Sequence, residues 1–370
     1  MRILITGIGG FIGKNLATRL GEESGFEYVG FTRDDSLSDL RSKLATVDAV
    51  VHLAGENRPS DPSAFVDGNT KLTETLCREI EQSGRTIPVI LASSIQSEQD
   101  NPYGISKLAA EKAVQTLADN TNIPAIIYRL PNVFGKWSKP NYNSVVATFC
   151  HNVARSIPLR IDAPLAPVRL IYVDDLVEEF LSRLKSGFSG LNFGSVNPEY
   201  SISVGDLASQ LKAFEQSRTN LITQNVGQGL VRALYSTYMS FLPTTSFAYD
   251  IPAYGDDRGV FVEMLKTPDC GQFSFFTAHP GITRGSHYHH SKTEKFLIIK
   301  GLARFGFRHI LTDEYVEIEV SGEKPRIVET IPGWAHDITN IGEGELIVML
   351  WANEIFDRDH PDTIASKVKQ

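Results

Sequence analysis

The chain has 370 residues, which is long for a single hydrophobic core and sufficient for two domains. Its formal net charge of −8 argues against a nucleic-acid or membrane-surface partner, and we expect neither. The cysteines Cys77, Cys150 and Cys270 have neither metal-type nor paired spacing, which suits a reducing compartment. A strand-like run begins at Arg2 and leaves no room for a signal peptide, so we expect a cytoplasmic protein without membrane spans.

Apolar runs alternate with helical patterns through residues 1–190. Short buried strands are predicted at 2–6, 28–31, 49–53, 89–92 and 125–128. Helices are predicted at 14–20, 70–82 and 106–118. This alternation is typical of an α/β fold with a doubly wound parallel sheet.

A glycine-rich turn joins the first strand to the first helix. Gly7 permits the tight turn, Gly10 lets a pyrophosphate approach the backbone, and Gly13 lets helix and strand pack closely. The N-terminus of the helix stabilises the anion. We therefore predict a dinucleotide site formed by Gly7, Gly10, Phe11, Ile12 and Gly13, with an ordinary tight turn as the alternative.

The end of the second strand indicates which nicotinamide cofactor is bound. An acidic residue there would bind the ribose 2′-hydroxyl of NAD. The strand instead ends at Arg33, whose planar guanidinium matches a 2′-phosphate, and this predicts NADPH. Asp34 and Asp35 follow directly, and an ordinary surface arginine is the alternative interpretation.

The run Tyr103-Gly-Ile-Ser-Lys107 is a candidate catalytic motif. The two outer residues share a helix face, and we expect the Lys107 ammonium to lower the pKa of the Tyr103 phenol. Tyr103 could then give and take a proton. Ser94, at a strand end, is expected to hydrogen-bond the substrate oxygen, with the adjacent Ser93 as the alternative.

With these motifs in place, residues 1–225 resemble the extended short-chain dehydrogenase/reductase family. Further matching segments are 52–55, Asn69, 129–135 and 172–175. The resemblance implies a Rossmann-type fold in which Leu53 and Ala54 flank the cofactor and Lys107 contacts it. It also implies that Asn132 contacts a nucleotide-sugar.

The sequence changes character from about residue 250, where short β-rich runs follow one another. Strands are predicted at 273–278, 295–299, 303–309, 314–320, 326–330 and 345–350. Many short strands with regular turns predict a closed barrel or jelly roll. We place the boundary after a linker helix near 230–241, which gives one domain over 1–243 and another over 244–370.

Residues 281–301 follow the pattern G-x5-H-x-H-x4-E-x6-G. His287 and His289 would point to the same face of a strand, Glu294 begins the next element, and a partner strand would supply His336. Three imidazoles and a carboxylate suit Zn²⁺ and other first-row divalent ions. The pattern resembles the cupin family over residues 250–356, which implies a metal centre.

Two further features concern the surroundings of this pattern. His290 alternates off the ligand face, so we expect it to face solvent or a subunit contact. Cupins often dimerise and so cover the edges of their barrels, and the resemblance therefore implies a homodimer.

The runs at 257–263 and 281–287 resemble nucleotide-sugar 3,5-epimerases of the deoxyrhamnose pathway. That resemblance implies that Arg284 binds a diphosphate and that His287 removes a proton beside a ketone. A ligating imidazole has its lone pair occupied, so His287 is either a metal ligand or a base. We favour the ligand.

The fused architecture resembles the bifunctional 3-epimerase/4-reductases of UDP-N-acetyl-L-fucosamine synthesis, which serve capsule and O-antigen assembly. Matching runs outside the generic motifs are 94–96, 99–104, 134–137, 139–145 and 235–238. The implied substrate is a UDP-4-keto-6-deoxy-HexNAc, UDP-2-acetamido-2,6-dideoxy-β-L-arabino-4-hexulose. The resemblance implies C3 epimerisation in the cupin domain, followed by NADPH-dependent C4 reduction to UDP-2-acetamido-2,6-dideoxy-β-L-talose.

Three alternatives remain open at this point. The cupin could be a 3,5-epimerase or ketoisomerase of a dTDP sugar. It could also be a structural dimerisation module beside a plain 4-ketoreductase. A non-catalytic nucleotide sensor is the third, although the intact Tyr103 and Lys107 pair argues against it.

Overall fold

The structure is a computed structural model that describes residues 1–59, 61, 63–252, 254–256, 259–261, 264, 265, 267, 271–354, 357 and 359–369. From the 257–263 run, Asp257, Arg258, Val262 and Glu263 lie outside the described residues, as does Cys270. The chain forms two compact units. The N-terminal unit comprises Met1–Ser144 and Val168–Ser201, and the C-terminal unit comprises Val145–Pro167 and Ile202–Gln370.

The first 240 residues contain the helices and a first set of strands. The strands are β1 (Arg2–Thr6), β2 (Glu27–Phe31), β3 (Ala49–His52), β4 (Val89–Ser94), β5 (Ala125–Leu130), β6 (Asn132–Phe134), β7 (Pro167–Tyr172), β8 (Leu191–Gly194) and β9 (Tyr200–Ser203). The helices are α1 (Phe11–Glu22), α2 (Leu37–Leu44), α3 (Ser63–Phe65), α4 (Leu72–Gln82), α5 (Pro102–Thr121), α6 (Val145–Val153), α7 (Val173–Ser186), α8 (Val204–Asn220) and α9 (Gly229–Ser240). A π-helix covers Val66–Lys71, and 3-10 turns cover Ile95–Glu98 and Thr244–Ser246.

The main sheet of the N-terminal unit has the order β2-β1-β3-β4-β5-β8, and each neighbouring pair is parallel. Its central strands are apolar on both faces, as expected for a sheet covered by helices on both sides. The strand order reverses at β1, so a crevice opens at the carboxyl ends of β1 and β3. The predicted doubly wound α/β fold is confirmed.

The remaining strands belong to the C-terminal unit. They are β10 (Ala248–Asp250), β11 (Tyr254–Asp256), β12 (Gly259–Phe261), β13 (Gln272–Ala278), β14 (Thr283–Tyr288), β15 (Glu294–Lys300), β16 (Leu302–His309), β17 (Tyr315–Ser321), β18 (Arg326–Glu329), β19 (Trp334–Asn340), β20 (Leu346–Ala352) and β21 (Ile364–Ala365). The β-rich runs predicted from the sequence did not include β14 and β19. The histidine pattern did predict strands at His287 and His336.

Two five-stranded antiparallel sheets form most of this all-β part, with orders β10-β18-β15-β20-β13 and β17-β16-β19-β14-β21, and β11 and β12 form a separate two-stranded sheet. Phe296 of the first sheet and Phe305 of the second are buried, with ring centroids 5.6 Å apart. Aromatic pairs at this separation bury much apolar surface between facing sheets. The all-antiparallel arrangement matches the predicted cupin jelly roll.

Helices α6, α8 and α9 pack together within the C-terminal unit. A buried ion cluster ties α8 to the barrel strands. The Lys295 ammonium donates to the Tyr249 hydroxyl at 2.8 Å and pairs with Glu329, which also pairs with Arg218 of α8. Residues 202–243 therefore pack with the barrel, although the sequence boundary at residue 243 groups them with the first domain.

Membrane-spanning segments were not expected. Over the part of the chain that the structure describes, no helix is both long enough and apolar enough to span a bilayer.

Candidate active site and metal centre

A cavity of about 470 Å³ lies in the N-terminal unit, at the crevice that the strand order predicts. Strand ends, the glycine-rich turn and the first turns of α5 all contribute to its wall. The predicted site residues that line it are Gly7, Gly10, Phe11, Ile12, Gly13, Leu53, Ser94, Tyr103, Lys107 and Asn132. The structure thus brings most of the predicted nucleotide and catalytic residues to one cavity.

The glycine-rich turn is fixed by close backbone approach. Gly7 has φ of +68°, and a Cβ there would lie 2.8 Å from the backbone nitrogen of Ala54. A Cβ on Gly13 would lie 2.3 Å from the carbonyl oxygen of Gly7. Gly10 caps α1 without any side-chain hydrogen bond from the described residues, so the first amides of the helix are available to an anion.

The Leu53-Ala54 segment is held against this turn by buried polar groups. The Thr6 hydroxyl accepts the backbone N–H groups of Leu53 and Ala54, each at 3.1 Å. It lies 2.6 Å from Nδ1 of His52, whose Nε2 lies 2.8 Å from the hydroxyl of Thr73. Burial lowers the pKa of His52 to about 3, so the imidazole is neutral and serves as a spacer rather than as a charge.

Tyr103 and Lys107 lie on the first turns of α5, which Asn101 caps by accepting the Gly104 N–H at 2.8 Å. The Lys107 ammonium donates to the carbonyl of Ala92 at 2.7 Å, and burial lowers its pKa to about 8. The expected lowering of the Tyr103 pKa is wrong. Burial raises that pKa, and a hydrogen bond with Ser94 offsets only part of the effect.

The two serines at the end of β4 have different surroundings. The Ser93 hydroxyl donates to the buried carboxylate of Glu111, which also forms an ion pair with Arg129 at 2.7 Å. Ser94 instead hydrogen-bonds Tyr103. Because Ser93 is bound to Glu111, Ser94 is the better placed of the two to meet a substrate oxygen.

Arg33 and Ala54, of the predicted cofactor residues, do not line the cavity. The Arg33 side chain is 86% exposed and forms an ion pair with Glu56. Asn132 is exposed at the start of β6, and its amide donates to the carbonyl of Arg169 at 3.2 Å.

The cavity wall also contains residues to which the sequence analysis gave no role. Trp137, Lys139 and Tyr142 all line it. The Lys139 ammonium lies 5.3 Å from the ring centre of Tyr142. The only signal for them was the match of their runs to the 3-epimerase/4-reductases, which implied no function for the individual residues.

The four predicted metal ligands meet in the C-terminal unit. One ligand atom from each of His287, His289, Glu294 and His336 lies within 4.8 Å of the others. His287 belongs to β14, His289 lies just beyond that strand, Glu294 begins β15, and His336 belongs to β19. The predicted cluster therefore forms, although His289 lies outside the strand on which it was expected.

A bulge in β14 brings His287 opposite His336. The register with β19 shifts between Gly285 and His287, and Gly285 has φ of +96°. A Cβ on Gly285 would lie 3.0 Å from the carbonyl oxygen of His336. Bulges of this kind redirect a side chain, and here the glycine lets the backbones approach closely enough for the two imidazoles to meet.

The charge state of the cluster suits a divalent cation. Burial, with the neighbouring imidazoles, lowers the pKa of His287 to about 3, and burial also lowers the pKa of His336. Both imidazoles are therefore neutral at pH 7. Oε2 of Glu294 lies 3.2 Å from Nε2 of His289 and 3.5 Å from Nε2 of His336.

The surroundings of His336 are a second indication that the cluster suits a cation. Neither of its buried ring nitrogens forms a well-aligned hydrogen bond within the described part of the chain, although Nε2 lies 3.5 Å from the Glu294 carboxylate. A buried imidazole nitrogen without a partner costs free energy unless a cation or water binds it. The residues present therefore fit a first-row divalent ion such as Zn²⁺.

Two neighbours of the cluster have different surroundings. His290 is half-buried outside the ligand group, with its ring 5.6 Å from that of Tyr288. Arg284 is exposed on β14, where its guanidinium stacks 5.0 Å from the ring of Phe276.

The two parts of the chain match different protein families. Residues 3–197 match the NAD dependent epimerase/dehydratase family, and residues 254–364 match the polysaccharide biosynthesis C-terminal domain. The first match covers more than half of the chain. The protein belongs to the NAD dependent epimerase/dehydratase family.

Within this family, the chain is 56% identical to the UDP-2-acetamido-2,6-beta-L-arabino-hexul-4-ose reductase of Pseudomonas aeruginosa, covering 100% of this chain and 99% of that protein. Among solved structures, it is 38% identical to the capsular polysaccharide assembling protein CapF from Staphylococcus aureus, with a TM-score of 0.67 over 100% of both chains. These matches confirm the family resemblance inferred from the sequence.

A more distant structure shares the fold alone. The UDP-glucuronic acid 4-epimerase from Bacillus cereus, solved with NAD, is 21% identical with a TM-score of 0.51. The match covers 58% of this chain and 83% of that one.

Proposed function

We propose that this protein reduces the C4 ketone of UDP-2-acetamido-2,6-dideoxy-β-L-arabino-4-hexulose after inverting its C3 centre. The observation that carries the reductase step is the presence of Ser94, Tyr103 and Lys107 on the same cavity as the glycine-rich turn. The name of the Pseudomonas aeruginosa relative, a reductase of such a hexulose, supports the choice of substrate.

The side chains of the cavity suit reduction of a ketone. When bound, NADPH supplies the hydride that adds to C4. The Tyr103 hydroxyl donates its proton to the C4 oxygen, and Ser94 donates a hydrogen bond to the same oxygen. The Lys107 ammonium stabilises the tyrosinate that remains, because it lies four residues further along the same helix.

NADPH rather than NADH is proposed because Arg33 lies two residues after the end of β2, in the region where NAD-binding chains place an acidic residue. Its exposed guanidinium can leave Glu56 and bind a 2′-phosphate in the same fork geometry. Asn132, at the cavity wall, is proposed to contact the nucleotide-sugar.

The C3 step is assigned to the C-terminal unit. A proton on C3 is acidified by the neighbouring C4 ketone, so a base can remove it and protonation from the other face inverts the centre. His287, His289, Glu294 and His336 are proposed to hold a divalent metal, and Arg284 to contact the diphosphate. When bound, the metal supplies Lewis-acid stabilisation. His287 is proposed as a ligand, which leaves the base to another group.

Product analysis tests the substrate and the reaction together. The purified protein is given NADPH and either the UDP-4-keto sugar or a dTDP-4-keto-6-deoxy sugar, and the alcohol is identified by NMR. We expect one product from the UDP sugar, with the L-talo configuration, and slow turnover of the dTDP sugar. Faster turnover of the dTDP sugar, or an alcohol that retains the original C3 configuration, would overturn the proposal.

A further inference from the structure

Asp362 lies in the C-terminal tail, far from the metal-type pattern in sequence, yet its carboxylate binds the turn between two predicted ligands. Oδ1 accepts the backbone N–H of His290 at 2.8 Å. Oδ2 accepts the backbone N–H groups of Ser291 and Lys292, each at 2.7 Å, and the Ser291 hydroxyl at 3.1 Å. Three consecutive amides thus converge on one carboxylate, and these amides join His289 to Glu294.

The backbone of Asp362 contacts a predicted ligand directly. Its carbonyl oxygen hydrogen-bonds Nδ1 of His289. A carbonyl can only accept, so Nδ1 carries a proton, and Nε2 is the ring nitrogen that can bind a metal. That Nε2 faces Oε2 of Glu294 at 3.2 Å. The contact with Asp362 therefore turns Nε2 towards the Glu294 carboxylate, which belongs to a second predicted ligand.

The residues after Asp362 hold the neighbouring strand. β21 pairs with β14, with Ala365 opposite His287 and Ile364 opposite Tyr288. The backbone N–H of Ser366 donates to the carbonyl of Ser286 at 2.8 Å, at the bulge. Residues 362–366 therefore contact the backbone just before His287 and just after His289.

We propose that Asp362 is a positioning residue for the metal centre, and that the docked tail sets the geometry of His289. The inference depends on the metal site described under the proposed function. Outer partners that fix the tautomer and orientation of a ligating histidine increase its affinity for metal, and their loss typically weakens binding about 10- to 100-fold. Asp362 acts through the turn and through His289.

The test measures metal binding by the full-length protein without any turnover. Metal-stripped wild type, Asp362→Ala and Asp362→Asn are titrated with Zn²⁺ against a chromogenic chelator, and with Co²⁺ while its d–d absorption is recorded. We expect Asp362→Ala to bind Zn²⁺ about 10- to 100-fold more weakly and to change the Co²⁺ spectrum. The matched control is Asp359→Ala, because Asp359 is an exposed acid in the same tail. Its affinity and spectrum should equal those of the wild type.

Asp362→Asn separates positioning from folding. The amide keeps one oxygen for the Ser291 and Lys292 amides but presents N–H donors elsewhere, so we expect a loss of affinity between wild type and Asp362→Ala. Far-UV circular dichroism checks that each variant is folded. Unchanged affinity and Co²⁺ spectrum in both Asp362 variants would overturn the inference. A wild type that binds neither metal would instead overturn the proposed metal centre.

Discussion

The two candidate sites of this chain are built in different ways. The cavity of the N-terminal unit is lined by short segments at strand ends, and each segment is a motif within a few consecutive residues. The histidine cluster of the C-terminal unit depends on a bulged strand, a turn, a partner strand and a distant tail. A parallel sheet gathers its strand ends at one edge by topology. A barrel interior needs specific long-range contacts to do the same.

The two sites also differ in their use of charge. In the cavity, the buried ammonium of Lys107 donates a hydrogen bond to a carbonyl. Burial lowers its pKa to about 8, so the group is still charged at pH 7. In the cluster, burial acts to raise the pKa of the Glu294 carboxylate, but the contacts with His289 and His336 hold that pKa well below its ordinary value. This difference is the basis for proposing proton transfer at the first site and cation binding at the second.

We expect Tyr103→Phe to affect the two proposed activities most differently. Loss of the phenol removes the proton donor, so the rate of NADPH oxidation should fall roughly 10²- to 10⁴-fold. Exchange of the C3 proton with solvent should persist, because it is assigned to the other unit. NADPH absorbance and NMR on one preparation measure both rates. If both rates fell together, the sites would not be independent.

His336→Ala should have the converse effect. Removal of a direct ligand should weaken Zn²⁺ binding by more than the roughly 10- to 100-fold expected for an outer partner. Reduction of an already C3-inverted ketone should continue at the wild-type rate. The matched control is His290→Ala, since His290 is a neighbouring histidine outside the ligand group. Equal Zn²⁺ affinity of both variants, measured by chelator competition, would contradict the ligand assignment.

A smaller effect is expected on the pH dependence of the reductase. Burial lowers the pKa of Lys107 to about 8, so the ammonium is present below that pH and is lost above it. The kcat/KM for NADPH should fall as pH rises through about 8, approaching tenfold per pH unit. Lys112→Ala is the control, because Lys112 is exposed on the same helix and its loss should leave the profile unchanged. A profile that stays level well above pH 8 would exclude Lys107 as the charged group.

The smallest effect is expected from Arg33→Ala. One charge-assisted contact to the 2′-phosphate is lost, which should raise the KM for NADPH about tenfold. The KM for NADH should not change, so the same protein provides the control. Steady-state kinetics with both cofactors measure the ratio. A similar rise for both would mean that Arg33 binds no 2′-phosphate.

Much of the fold followed from local patterns. The period of the apolar runs identified β1, β3, β4 and β5, and the glycine spacing identified the turn at Gly7. The approximate position of the metal-type cluster followed from the spacing of His287, His289 and Glu294. These features depend on residues that are close in the sequence, where steric and periodic rules apply directly.

Features set by tertiary packing were not predictable from those patterns. The predicted direction of the Tyr103 pKa shift was wrong because burial, which the sequence does not show, raises this pKa by more than the hydrogen bond with Ser94 lowers it. Glu329 of the barrel pairs with both Lys295 and Arg218 of α8, and these ion pairs join residues 202–243 to the barrel. The sequence pattern had predicted only a linker helix in this region. Asp362 was missed because nothing near it in the sequence resembles a metal site.

The proposed function assigns two separate activities to the chain. The most direct measurement incubates the wild-type protein with the UDP-4-keto-L-sugar in deuterated water without NADPH and follows C3 by NMR. We predict that deuterium enters C3, and that later addition of NADPH yields a single alcohol. Direct NADPH oxidation without any prior exchange at C3 would contradict the account, leaving a plain ketoreductase with a structural C-terminal unit.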